Sequence, residues 1–178
     1  SGVISGDIAS SASANSPYKF TVEVTDGQQT ARADLSIAVW QQLSITTTSL
    51  PVGYEGQAGY SAQLTATGGN SANYRWSVSG TLPYRLSWDA AAATLSGDIA
   101  TGTAGDYLLR FEVTDGVQTA AADLTLTVLA QLSITTTSLL DAVEGITYSY
   151  TVVASGGDSA NYSWGISGQP LWLAIDTA

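Results

Sequence analysis

Cysteine, histidine and methionine are all missing from this 178-residue sequence. With them go disulfide staples, thiolate or imidazole metal sites, and acid–base chemistry at an imidazole. Only carboxylates and hydroxyls remain for chemistry. Basic residues are scarce, five against 15 acidic ones, and the formal charge of -10 repels nucleic acid and anionic lipid. Charged residues of both signs reach only 11%, so the surface must be built from small neutral polar side chains. That suits β-sheets with Thr-rich outer faces. No apolar run approaches the ~20 residues that cross a bilayer, and the N-terminus has neither the basic nor the apolar region of a signal peptide. The expectation is a mature or internal segment.

What the sequence does have is a repeat. Leu43-Ser44-Ile45-Thr46-Thr47-Thr48-Ser49-Leu50 returns unchanged as Leu132 to Leu139, 89 residues on. The same offset relates Val24-Thr25-Asp26-Gly27 to Val113-Thr114-Asp115-Gly116, and Ala33-Asp34-Leu35 to Ala122-Asp123-Leu124. With slight slippage, Gly68-Gly69-Asn70-Ser71-Ala72-Asn73-Tyr74 recurs as Gly156 to Tyr162. Residues 41–129 therefore read as one complete module. Residues 1–40 read as the second half of a module and 130–178 as the first half, each completed by another copy. Asp176 matches Asp89, and nine steps onward from it, through Ala178 and then Ser1, reach Asp7, the counterpart of Asp98. The end of the sequence reads directly into its beginning.

Within residues 41–129 the periodicity is that of strands. Alternation turns inward Leu43 and Ile45, then Tyr60, Ala62, Leu64 and Ala66, then Tyr74, Trp76 and Val78. It continues through Leu86 and Trp88, then Tyr107, Leu109, Phe111 and Val113, then Leu124, Leu126 and Val128. Turn signals separate these runs at Gly68-Gly69, Gly80, Gly97-Asp98, Gly105-Asp106 and Asp115-Gly116. About seven short strands in under 100 residues predict an all-β chain of tandem immunoglobulin-like Greek-key sandwiches, ~89 residues per repeat.

Leu173-Ala174-Ile175-Asp176-Thr177-Ala178, joined to Gly2-Val3-Ile4-Ser5-Gly6, resembles the LSLDxxTGxISG segment of bacterial He-PIG immunoglobulin-like repeats and dystroglycan-type cadherin-like repeats. Gly105-Asp106-Tyr107 followed by Phe111-Glu112-Val113-Thr114-Asp115-Gly116 resembles the same families. The likeness covers both repeats and implies the sandwich fold. It also implies a spacer, stalk or adhesive arm on a prokaryotic surface. The sequence departs from the pattern at Ala90 to Ala93, where Thr-Gly is usual, and at Asp98-Ile99, where Thr-Pro is usual.

Few residues invite a chemical role. Asp106, Asp115 and Asp123 are close in sequence, but Asp115 precedes Gly in a hairpin turn, where Asp bonds its own backbone, and Asp26 repeats it. A site duplicated with every structural repeat does not read as catalytic; the expectation is no enzyme. The turns at Asp26 and Asp115, Asn70 and Asp158, and Asp89 and Asp176 are expected at one pole of a sandwich, with Glu55 and Glu144 at the other. Calcium at a module junction needs six to eight oxygens, and no DxNDN or DxD linker motif is present. No cofactor is expected, with junction Ca²⁺ as the alternative. The only Lys, Lys19, faces outward, against an isopeptide cross-link. Asn161-Tyr162-Ser163 is a glycosylation sequon whose counterpart Asn73-Tyr74-Arg75 lacks the hydroxyl. Strand register turns Trp40, Leu129 and Trp172 away from their own cores, so these three are the candidate module or chain interface.

These readings converge on a structural segment of an extracellular or cell-surface filament, stalk or fibre. Its expected partners are further copies or adjacent modules, head to tail. The alternative is an adhesin module that binds a glycan or a protein.

Overall fold

The sequence spacing of two apolar positions per strand becomes a two-layered β fold in the computed structural model, which describes residues 1–176. Thr177 and Ala178 of the family-like run lie outside the described residues. In chain order the strands are β1 (Tyr18–Thr25), β2 (Thr30–Ile37), β3 (Ser44–Ile45), β4 (Gly53–Tyr54), β5 (Tyr60–Gln63), β6 (Ala66–Thr67) and β7 (Arg75–Ser79). They continue with β8 (Leu86–Asp89), β9 (Thr94–Gly97), β10 (Gly105–Thr114), β11 (Thr119–Leu129), β12 (Ser133–Ile134) and β13 (Ala154–Ser155).

Strands β3 to β11 build one complete sandwich. One sheet has the order β4-β11-β10-β7, with β4 parallel to β11 and the other pairs antiparallel. The facing sheet has the order β5-β9-β8, and β3 pairs with β6 beside it. Between the layers sit Tyr60, Ala62, Leu64, Leu86, Leu95, Leu109, Phe111, Leu124, Leu126 and Val128, all buried. Burying side chains of this size supplies most of the stability.

Trp76 and Trp88 pack against that core but are only partly buried. Trp88 stacks on Phe111 with ring centroids 5.2 Å apart. The position that sequence reasoning gives to Trp76, between the sheets, belongs to Phe111: β7 is an edge strand, so Trp76 covers the core from the side.

The hairpins are fixed by side-chain bonds that recur. Asp115 N–H donates to Gln118 O at 3.2 Å, Thr114 Oγ1 donates to the same carbonyl, and Gly116 N–H donates to Thr114 Oγ1. Asp26, Thr25 and Gly27 repeat each of these bonds around Gln29. The β6–β7 loop also recurs. Tyr74 Oη donates to Gly68 O, and Tyr162 Oη to Gly156 O; Asn70 and Asp158 each accept from the N–H two residues on.

Among the described residues outside 42–129 two two-stranded sheets form, β1-β2 and β12-β13. In the repeat β1-β2 corresponds to β10-β11, and β12-β13 to β3-β6.

Candidate module junctions

Each end of the complete sandwich is tied to a linker by one side chain. At the incoming end Gln118, in the β10–β11 turn, accepts from Leu43 N–H through Oε1 at 2.9 Å and donates through Nε2 to Gln41 O at 3.1 Å. Beside it lies Asp115, 4% exposed. Its Oδ1 accepts from Val117 and Gln118 N–H, and its Oδ2 takes Asn70 N–H at 2.8 Å. These backbone donors, Gln118 first and then Asn70 and Val117, hold the Asp115 carboxyl below the usual carboxylate range. Gly69 makes room for it: a Cβ there would stand 2.5 Å from Asp115 Oδ2.

At the outgoing end the carboxylate is Glu55. Its Oε1 accepts from Ala104 N–H at 2.8 Å, and its Oε2 from Gln131 N–H in the next linker at 3.2 Å. The two bonds, Ala104 first, lower its pKa as well. Its own N–H donates to Leu129 O, extending the parallel β4–β11 pair. Of the carboxylates expected at opposite poles, Asp115 and Glu55 stand at the two ends of the sandwich, each with both oxygens on backbone N–H groups. Among the described residues no three acidic side chains converge as a metal ion would require.

The three interface candidates fall at different places. Trp40, 50% exposed, lines an open cleft of about 660 Å³ with Pro17, Val39, Gly68 and Tyr74, between the N-terminal hairpin and the sandwich. Leu129, partly buried, ends β11 opposite Tyr54. Trp172, 71% exposed, lies far along the C-terminal segment on a loop with Leu171. The structure does not gather the three into one patch. A second open cleft, about 640 Å³, is lined by Tyr54, Glu55, Gln131, Leu132, Tyr162 and Trp164, where the sandwich meets the C-terminal segment. Gln118 escaped sequence reasoning, although Gln29 stands at the same step after Asp-Gly in the other copy.

Residues 42–129 match the family described as "Putative Ig domain" (He_PIG). No curated protein matches the chain. Among solved structures, mouse cadherin-23 is 14% identical, aligned over 67% of this chain and 44% of that one, with a TM-score of 0.45. An I-band fragment of titin is 11% identical over 81% of this chain and 66% of that one, TM-score 0.45. A Bacteroides fragilis chain assigned as an alpha-galactosidase is 17% identical over 49% of this chain, TM-score 0.42. This chain spans only 17% of the last one's length.

Proposed function

We propose that this chain, whose residues 42–129 belong to the He_PIG family of Ig domains, is a non-catalytic structural segment of an extracellular or cell-surface filament or stalk of prokaryotic type. The observation that carries this reading is the treatment of the linkers. Gln118 and Glu55 bind the incoming and outgoing linkers into the body of the module, and Gln29 and Glu144 stand at the matching positions of the repeat. A linker bonded to the module beside it is a stiffer spacer than a free Gly/Ser tether. Small-angle scattering from arrays of one, two and four repeats tests it: maximum dimension should rise in proportion to repeat number. Growth with the square root of that number would describe a flexible string and remove the stalk.

A second reading, an adhesive module, is favoured by one loop. Between β7 and β8 the exposed tip reads Tyr84-Arg85, with Arg85 at φ +72° and its guanidinium 5.9 Å from the Tyr84 ring centre. Its counterpart is Leu171-Trp172, also exposed. The tips differ between the two copies, as a ligand-contacting loop would, while the Ser-Ala-Asn-Tyr and Val-Thr-Asp-Gly turns are kept. Binding to a glycan array that is lost in Trp172→Ala would support this reading, and unchanged binding would remove that loop.

A further inference from the structure

We infer that the cleft between the β7–β8 tip and the segment after β9 is a sugar subsite that takes a neutral pyranoside: Tyr84 stacks on the ring, Arg85 donates to its hydroxyls and Asp98 accepts from them. The inference lies wholly within the complete sandwich. It deepens the adhesive reading and rests on it for its biological meaning.

The cleft holds about 470 Å³ and is lined by three chain segments, 56–58, 84–85 and 98–101. That is room enough for a small ligand. Two of the segments are stitched together. Gly56 N–H donates to Ile99 O at 2.9 Å, Ile99 N–H to Gln57 O at 2.8 Å, and Gly59 N–H to Asp98 Oδ1 at 2.9 Å. A wall already fixed in this way loses little freedom when a ligand arrives.

The third segment is held as firmly, and under strain. Pro83, fully buried, anchors a turn that Leu86 N–H closes by donating to Pro83 O at 3.0 Å. Arg85 takes the third position of that turn with φ +72°, which turns ordinarily give to Gly or Asn. Gly97 lets this backbone seat against β9, since a Cβ there would stand 2.2 Å from Arg85 O. Among the described residues the only other non-glycine with positive φ is Ala93, which is buried in the module. Arg85 is exposed, so burial of its side chain does not account for the strain. Strain that serves no packing points to use.

The side chains around the cleft offer three complementary chemistries. Tyr84 is 71% exposed, and a ring in that state suits the apolar C–H face of a pyranose. The Arg85 guanidinium lies 5.9 Å from the Tyr84 ring centre. Arg32 and Arg110 pair with carboxylates, whereas Arg85 forms no ion pair among the described residues. Asp98 spends Oδ1 on Gly59 N–H and leaves Oδ2 without a hydrogen bond among the described residues. A guanidinium only donates and a carboxylate only accepts, while a sugar hydroxyl does both. The Asp98 charge and the net charge of -10 turn away an anionic sugar.

Amide NMR of the full chain tests this, with the methyl pyranosides of glucose, galactose, mannose and N-acetylglucosamine as probes and glucuronate as the anionic control. At least one neutral pyranoside should shift the Gly59, Tyr84, Arg85 and Thr101 amides saturably, and glucuronate should not. Tyr84→Ala should weaken that binding about tenfold. Arg85→Gly should lose the shifts at Gly59 and Thr101 yet melt no lower than the parent, because glycine relieves the positive φ. Loss of binding together with a lower melting temperature would make Arg85 a structural residue and overturn its role. No saturable shift with any neutral probe overturns the subsite, and shifts with glucuronate alone overturn the neutral class. Shifts at these amides without retention of the chain on a glycan-coated surface keep the subsite and overturn the adhesive reading. Retention that survives Tyr84→Ala keeps the adhesive reading and overturns this site.

Discussion

Asp115 keeps both carboxylate oxygens on backbone N–H groups, and this makes the sandwich sensitive to acid. Its folded pKa lies below the ordinary value of 3.8, so its contribution is complete above that value and is lost as pH falls through the lower folded pKa. Thermal melts should therefore shift downward below about pH 4, and Asp115→Asn should flatten that limb while melting lower at neutral pH. Gly53 sets a different constraint, because a Cβ there collides with the Ile99 δ-methyl. Gly53→Ala should cost about 1–3 kcal/mol by overpacking, and Ile99→Val about 0.5–1.5 kcal/mol. The double variant should cost less than the sum, because the second change removes the colliding atom; urea unfolding measures all three. Turn chemistry at Asp115-Gly116 was legible in the sequence. The burial of Ile99 was not, because it lies between strands, held by Ile99 N–H to Gln57 O and Gly56 N–H to Ile99 O, where no alternation betrays an inward side chain.

At the level of strands, alternation located the inward positions of β5 and β10 and, in β11, Leu124, Leu126 and Val128 but not the partly buried Ala120 and Ala122 on the same face. It could not distinguish a central from an edge strand. That is why Trp76, with perfect spacing, covers the core and Phe111 fills it. Phe111→Ala should cost about 3–5 kcal/mol, with Trp76→Ala measurably less in the same denaturant titration; an equal or larger loss at Trp76 would put it back at the centre. The flanking segments teach the complementary point. Residues 163–167 have the pattern of β7 but no strand, because apolar spacing belongs to the sequence while a ladder needs a partner.

For the whole molecule, the sandwich alone has a closed core among the described residues, so these 178 residues should unfold with the enthalpy of one module. Near 60 °C that is about 60 kcal/mol, at roughly 0.7 kcal/mol per residue. Calorimetry at high dilution should find one transition of this size; about twice that value would mean the flanks fold independently. The placing of Asp115 and Glu55 at opposite ends of the sandwich was legible in the turn pattern. The linker bonds of Gln118 were hidden, since they depend on how close a loop comes to a chain segment 77 residues away. The parallel β4–β11 pair has one more consequence, and it is mechanical. Tension drawn from residue 42 and residue 129 pulls those two strands in opposite directions along their own axes. Val128 against Gly53, Leu129 against Tyr54 and the Glu55 bond to Leu129 O would then be loaded together in shear, and would have to fail together rather than peel one at a time.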